Sequence, residues 1–424
     1  MTRFDDVLAM ISTNGTYHLH AGQVARIRGQ LRNRGWEAGT IIELPSSKLP
    51  RRVSNRSAHL YTVGAGGAVR RRSGRHCNGI DVMKKALIVL LSLGAAVYVA
   101  SWFWAGDEVA AAADRPWPDG LGTLAAVPDR YPPEHENEAA RKLTSLAEGI
   151  AESEAITTYV RQEIARGDLT IAEPPAIADL SAIRDLLLRE PVVWERNLSQ
   201  QHGGLLPKVA MHQTLVRALI ANALARARRH DVAAWDDLHA AWNLTTALDA
   251  HPHRILRIVA ISMTRAINAV AWKMPLPVPA WFNEVKDHDF VRPLFETLQY
   301  EKWRTWREQV FPLKPFAEAI DRERSLTREL AQVTECEVHP VPTTPATADV
   351  ADLDITWQRA FRYRVEREAT ANALRARAGQ PIEERSYCTD GAWSFDRKTL
   401  RFAKPIALPE RRDTSIPLTL RIRD

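Results

Sequence analysis

The sequence predicts a mainly α protein: a single N-terminal transmembrane helix, a helical domain of hairpins, and a small C-terminal antiparallel β-element. Three observations predict it. An uncharged apolar run occupies Ala86–Gly106. Apolar residues then recur at three- and four-residue spacing from Glu134 to about Val333. After Gly379 the pattern changes to short runs of β-formers around turn residues. With 424 residues, 45% of them hydrophobic and 25% charged, the chain has the composition of a globular protein with a packed core.

The first element is basic. Residues 1–85 carry 15 Lys and Arg against 5 Asp and Glu, whereas the remainder carries 42 against 46. The positive charge thus precedes the apolar run and the body is slightly acidic, which argues against a nucleic-acid-binding domain. Arg outnumbers Lys 46 to 11, a bias read as a GC-rich bacterial source. Residues 1–82 hold no steady hydrophobic period. They are expected to be either a disordered cytoplasmic tail or a mis-annotated start upstream of Met83, with no compact domain in either case.

Residues 83–106 form the expected anchor. A helix of about 20 apolar residues spans the roughly 30 Å hydrocarbon core, and partnership with a lipid bilayer is assigned to residues 86–104. Lys84 and Lys85 precede the run, Trp102, Phe103 and Trp104 crowd its end, and Asp107 and Glu108 follow. Flanking bases before the span and interfacial aromatics after it place the N-terminus in the cytoplasm and the rest in the periplasm of a bacterial inner membrane. The competing reading is a cleaved signal peptide, which also begins with bases before an apolar run and has small residues at its end. The run is longer than a usual signal core, which favours an uncleaved anchor.

Residues 107–133 contain five prolines and no sustained period, and are read as a tether. The helical domain is assigned to 134–337. Its helices are expected at 134–152, 154–166 and 176–189, then through 205–273 with breaks at His230-Asp231 and His251-Pro252. Further helices are expected at 280–287 after the Pro-rich 275–279, and at 294–310 and 315–333. Asp231 is a plausible N-cap. A Pro-rich linker is expected at 338–354. The last unit, 355–424, comprises helix 355–378 closed by Gly379, then β-segments at 392–395, 399–402 and 417–422 around the turn Asp396-Arg397-Lys398.

Within this pattern, residues 221–252 (ANALARARRHDVAAWDDLHAAWNLTTALDAHP) resemble one tetratricopeptide-type hairpin: small residues where the helices meet, a short polar turn, and a Pro afterwards. The resemblance implies a helical-repeat surface for peptides or proteins. No second copy follows at a 34-residue period. The span, long helix and terminal β-element also resemble pseudopilins, although the early Glu of their apolar run is missing from Ala86–Gly106. The layout is likewise similar to uncharacterised bacterial membrane-anchored helical proteins, a label that implies no activity.

Candidate chemistry is sparse. Cys336 and Cys388 both follow the apolar run and are expected to form a disulfide in an oxidising compartment, or else to be buried thiols. His135, His239, His251 and His253 lie near acids, yet no HExxH, Cys/His ligand spacing or glycine-rich phosphate loop is present. No catalytic, cofactor-binding or metal-ligating residue is therefore assigned, and no cofactor is expected. Trp303 and Trp306 alternate with Lys302, Arg304 and Arg307. This is either an amphipathic helix burying its tryptophans under basic stems or an interaction face.

The leading functional expectation is a non-enzymatic scaffold facing the periplasm, with an envelope protein as partner. A hydrolase or lipid-handling enzyme is the second, and it requires acids and histidines such as Glu134, Glu138, Asp236 and His239 to converge in one cleft. A structural part of an envelope or secretion complex is the third.

Overall fold

The computed structural model describes residues 92–94, 96–97, 99–100, 103–150, 153–198, 208–308, 314–336, 348–404 and 416–423. The chain divides into Met1–Cys77 and Asn78–Asp424. The expectation for residues 1–82 falls outside the described residues, as does much of the apolar run. Among the described residues no helix is long and apolar enough to cross a membrane.

The second unit is mainly helical. A helix over 103–113 (α1) leads to a short turn of helix at Val127–Arg130 (α2), then Glu138–Ala147 (α3), Glu154–Ala165 (α4) and Ser181–Arg189 (α5). Three long helices follow: Val209–Arg228 (α6), Ala234–Asp249 (α7) and Arg254–Ala271 (α8). Phe282–Asp287 (α9), Val291–Glu308 (α10), Lys314–Ala331 (α11) and Ala348–Arg377 (α12) complete the helical part. The sequence explains most boundaries. Asn137 caps α3 by accepting from Ala140 N at 2.9 Å, and Ser153 caps α4 through Ile156 N. Asp231 closes the α6–α7 turn by accepting from Ala233 N at 3.0 Å. Gly379, at φ +72°, ends α12, and Gln380 N donates back to Arg375 O. That left-handed position suits glycine.

The α6–α7 hairpin forms the centre, with α8 and α5 against α7 and α4 against α6. Leu219, Ile220, Leu224, Leu238, Leu244, Leu248, Leu256 and Ile267 are all fully enclosed there. The long helix α12 lies along α8. Arg265 of α8 grips Glu366 of α12 with two 2.7 Å bonds, and Arg362 adds a third at 2.8 Å. Removing one partner of a buried pair would leave the other charge uncompensated, which is strongly destabilising.

The C-terminal β-element is a three-stranded antiparallel sheet in the order β1 (Trp393–Phe395), β2 (Thr399–Phe402), β3 (Thr419–Arg421). Trp393 faces Phe402 across the first pair, and Leu400 faces Leu420 across the second. The sheet is tied back to the early helical part: Arg421 N donates to Gly167 O at 2.6 Å, where a Cβ on Gly167 would stand 2.9 Å from Thr419 O. Only glycine permits that approach.

Two expectations need correction. Residues 107–133 are not a slack tether. Val109, Ala112, Trp117, Leu121, Leu124 and Val127 are buried in the common core, and Gln299 of α10 donates to the carbonyls of Leu121, Gly122 and Thr123. Counting prolines missed that the apolar residues between them all find one surface. Residues 348–354 of the expected linker belong to helix α12, while 337–347 lie outside the described residues.

Candidate partner-binding groove

An open groove of about 910 Å³ lies between the Pro275–Pro279 loop with α9 on one side and the C-terminal half of α12 on the other. The sequence builds it locally. After α8, Trp272 and Met274 are buried and act as the root of the loop. The loop's prolines lack backbone donors, so polar contacts come from elsewhere. Trp235 Nε1 donates to Pro275 O at 2.7 Å, and Arg377 Nη1 donates to Met274 O at 2.7 Å.

Beyond the loop, α9 is clamped to α12. Tyr363 OH donates to Val285 O at 2.9 Å, Arg364 holds Asp289 with bonds of 2.8 and 2.7 Å, and Arg367 Nη1 donates to His288 O at 2.6 Å. The Arg364 guanidinium holds the Asp289 carboxyl below its ordinary range, against the upward push of burial. Arg367, Ala371, Leu374 and Ala378 recur at helical spacing and face the loop's Leu276 and Val278. Lys286, Asp287 and Arg375 stand at the rim. Glu368 is turned to the β-element, where it accepts from Ser386 Oγ at 2.7 Å and Trp393 Nε1 at 2.9 Å. The result is an apolar floor with a charged rim of both signs, suited to a polypeptide segment.

The sequence-assigned residues are placed as follows. Cys336 and Cys388 are joined in a disulfide, with Cα atoms 5.2 Å apart and both residues buried. Asp390 lies against it and accepts from Cys336 N at 2.7 Å. The proposed face on α10 divides. Trp303 is 5% exposed and belongs to the core, and Trp306 packs against that core. Arg307 lies over the Trp303 ring at 5.8 Å, and Arg304 is half-buried. The tryptophans are thus buried under a basic stem, and only Arg307 offers an exposed group.

The enzymatic constellation does not assemble. Glu134 pairs with Arg196 at 2.9 Å, Glu138 opens α3 exposed, and Asp236 is exposed on α7. His239 stacks on Trp281 at 4.5 Å, and burial holds its pKa below the usual value. His253 caps α8 by accepting from Ile255 N, and His251 is buried. The sequence missed Asp249 with His288, whose Nε2 lies 3.2 Å from Asp249 Oδ2. Burial pushes the Asp249 carboxyl up, but Arg257 and His288 hold it below the ordinary range. No local motif joins residues so far apart in sequence. The groove residues were also missed, because PLPVP registered only as a break between helices.

No protein-family model, curated protein or solved structure matches this chain.

Proposed function

We propose that this chain is a membrane-anchored, non-enzymatic interaction protein whose helical domain faces the periplasm and receives a segment of an envelope protein in the α9–α12 groove. The groove carries the reading. It offers about 910 Å³, it has an apolar floor with charged groups of both signs at its edge, and no convergent acid, base and nucleophile line it.

Two further observations support the anchor and the compartment. Leu93, Val97, Val99, Phe103 and Trp104 are 49–64% exposed, in contrast to the sealed core that begins at Val109. Contiguous exposed apolar residues call for a covering phase, which a bilayer supplies. The Cys336–Cys388 disulfide suits an oxidising compartment. In this reading the α6–α7 hairpin acts as a single tetratricopeptide-like unit that carries α12 through α8.

The test combines topology with proximity in cells. A C-terminal reporter active only outside the cytoplasm is joined to photo-crosslinkers at Ala378 in the groove and at Glu154 on α4. The expected result is a periplasmic reporter signal and a crosslinked envelope protein from Ala378 alone. A cytoplasmic signal, or the same products from both positions, overturns the reading.

A further inference from the structure

A second, smaller cavity of about 260 Å³ shares Pro275 with the loop above and lies where the C-terminal ends of α6, α8 and α12 meet. Leu169, Ile171 and Pro275 form an apolar wall. Opposite them stand Lys273, Arg377 and His230, with Arg228 at the edge, and no carboxylate lines the cavity. We propose that this cavity binds a small organic carboxylate carrying a short apolar arm.

The donors left over make the case. Arg377 Nη1 serves the carbonyls of Trp272 and Met274. Its Nε and Nη2 donate to no acceptor among the described residues. A half-buried guanidinium with an unused edge matches a carboxylate in a two-point bond. Lys273 Nζ donates to Glu163 Oε2 at 2.9 Å and Thr170 O at 3.3 Å inside the fold, so the donors open to a ligand are those of Arg377. The Lys273 side chain is fully enclosed, and burial draws the ammonium pKa below the lysine range.

The neighbouring acids are already engaged. Glu163 Oε1 accepts from Ala172 N at 3.1 Å and lies 3.3 Å from Arg166, Glu173 pairs with Arg228, and Asp168 accepts from Thr170 N at 2.9 Å. None of them turns to Arg377. His230 is exposed and held at φ +59° just past α6. The volume is several times the roughly 30 Å³ share of one water, room for a small molecule.

These cations also sit at helix C-termini, where positive charge is favourable without a ligand. The experiment separates the two roles. Binding of sodium benzoate to the full chain in detergent micelles is measured by calorimetry, with acetate and chloride at matched ionic strength. We expect saturable benzoate binding, weaker acetate binding and none by chloride. In Arg377→Gln, benzoate affinity should fall about tenfold or more, the worth of a charged hydrogen bond. Ile171→Glu, which tethers a carboxylate at the cavity mouth, should abolish benzoate binding, and it decides the matter if Arg377→Gln does not fold. Benzoate behaving like chloride, or binding equally to the wild type and Ile171→Glu, overturns the proposal.

Discussion

His212, in the first turn of α6, is fully enclosed, and neither ring nitrogen has a hydrogen-bond partner among the described residues. Its ring meets the edge of Trp194 at 4.8 Å. A protonated imidazole here would be a charge without solvent or counter-ion, so burial holds its pKa down from 6.5 to about 4. At roughly 1.4 kcal/mol per pH unit, that gap is worth about 3 kcal/mol. The folded form takes up the proton less readily than the unfolded chain. The contribution is therefore fully present above pH 6.5 and is lost as the pH falls toward about 4. His212→Phe keeps a ring against Trp194 and removes the titration. Unfolding by urea, followed through tryptophan fluorescence from pH 7 to 4, should show wild type losing about 3 kcal/mol more than the variant. Equal losses in the two proteins would refute the argument, because acid sensitivity would then reside elsewhere.

Further outcomes follow from the same physics. His251→Phe should remove a second acid-sensitive step, since burial, then His253, Arg196 and Arg257, hold the His251 pKa at about 3; unfolding at pH 4 against pH 7 checks it. Lys273→Met leaves the enclosed Glu163 carboxylate without its main partner and should cost about 3–5 kcal/mol, with Glu163→Gln in the same chain restoring part of it by double-mutant denaturation. Gly391→Ala places a Cβ 2.4 Å from Phe402 Cζ and should cost about 1–3 kcal/mol, read as a lowered thermal midpoint. Replacing both Cys336 and Cys388 by Ser frees a loop spanning 52 positions and should cost about 4 kcal/mol in chain entropy, measured by denaturation with and without reductant.

The sequence carried the helical architecture well where one side of a helix had to be apolar. The long helices α6, α7 and α8 and the breaks at His230 and His251 follow from spacing alone, and so do the three short strands at the end. The expected tether failed for a different reason. Trp117, Leu121, Leu124 and Val127 stand three and four residues apart, but Pro118, Gly120 and Gly122 break the chain into turns between them, and their burial depends on α10, more than 160 residues away. The groove is illegible in the same way. Leu276 and Val278 gain meaning only when Ala371 and Leu374 arrive opposite them, and their meeting is set by the Arg265–Glu366 and Arg364–Asp289 pairs. Sequence patterns report which face of one element is apolar; they do not report which second element completes a surface.

The bond from Arg421 to Gly167 has a bearing on how the molecule is made. Residues 109–131 find their cover on α10, and the loop after α4 finds its edge only in β3, among the last residues of the chain. A ribosome or export channel that delivers the chain from its N-terminus therefore releases α1, α2 and the loop after α4 long before these late neighbours exist. Such late closure slows folding and leaves apolar surface open in the interval. The early helices must wait in a partly assembled state, and that waiting period is when a chaperone or a protease has access to them.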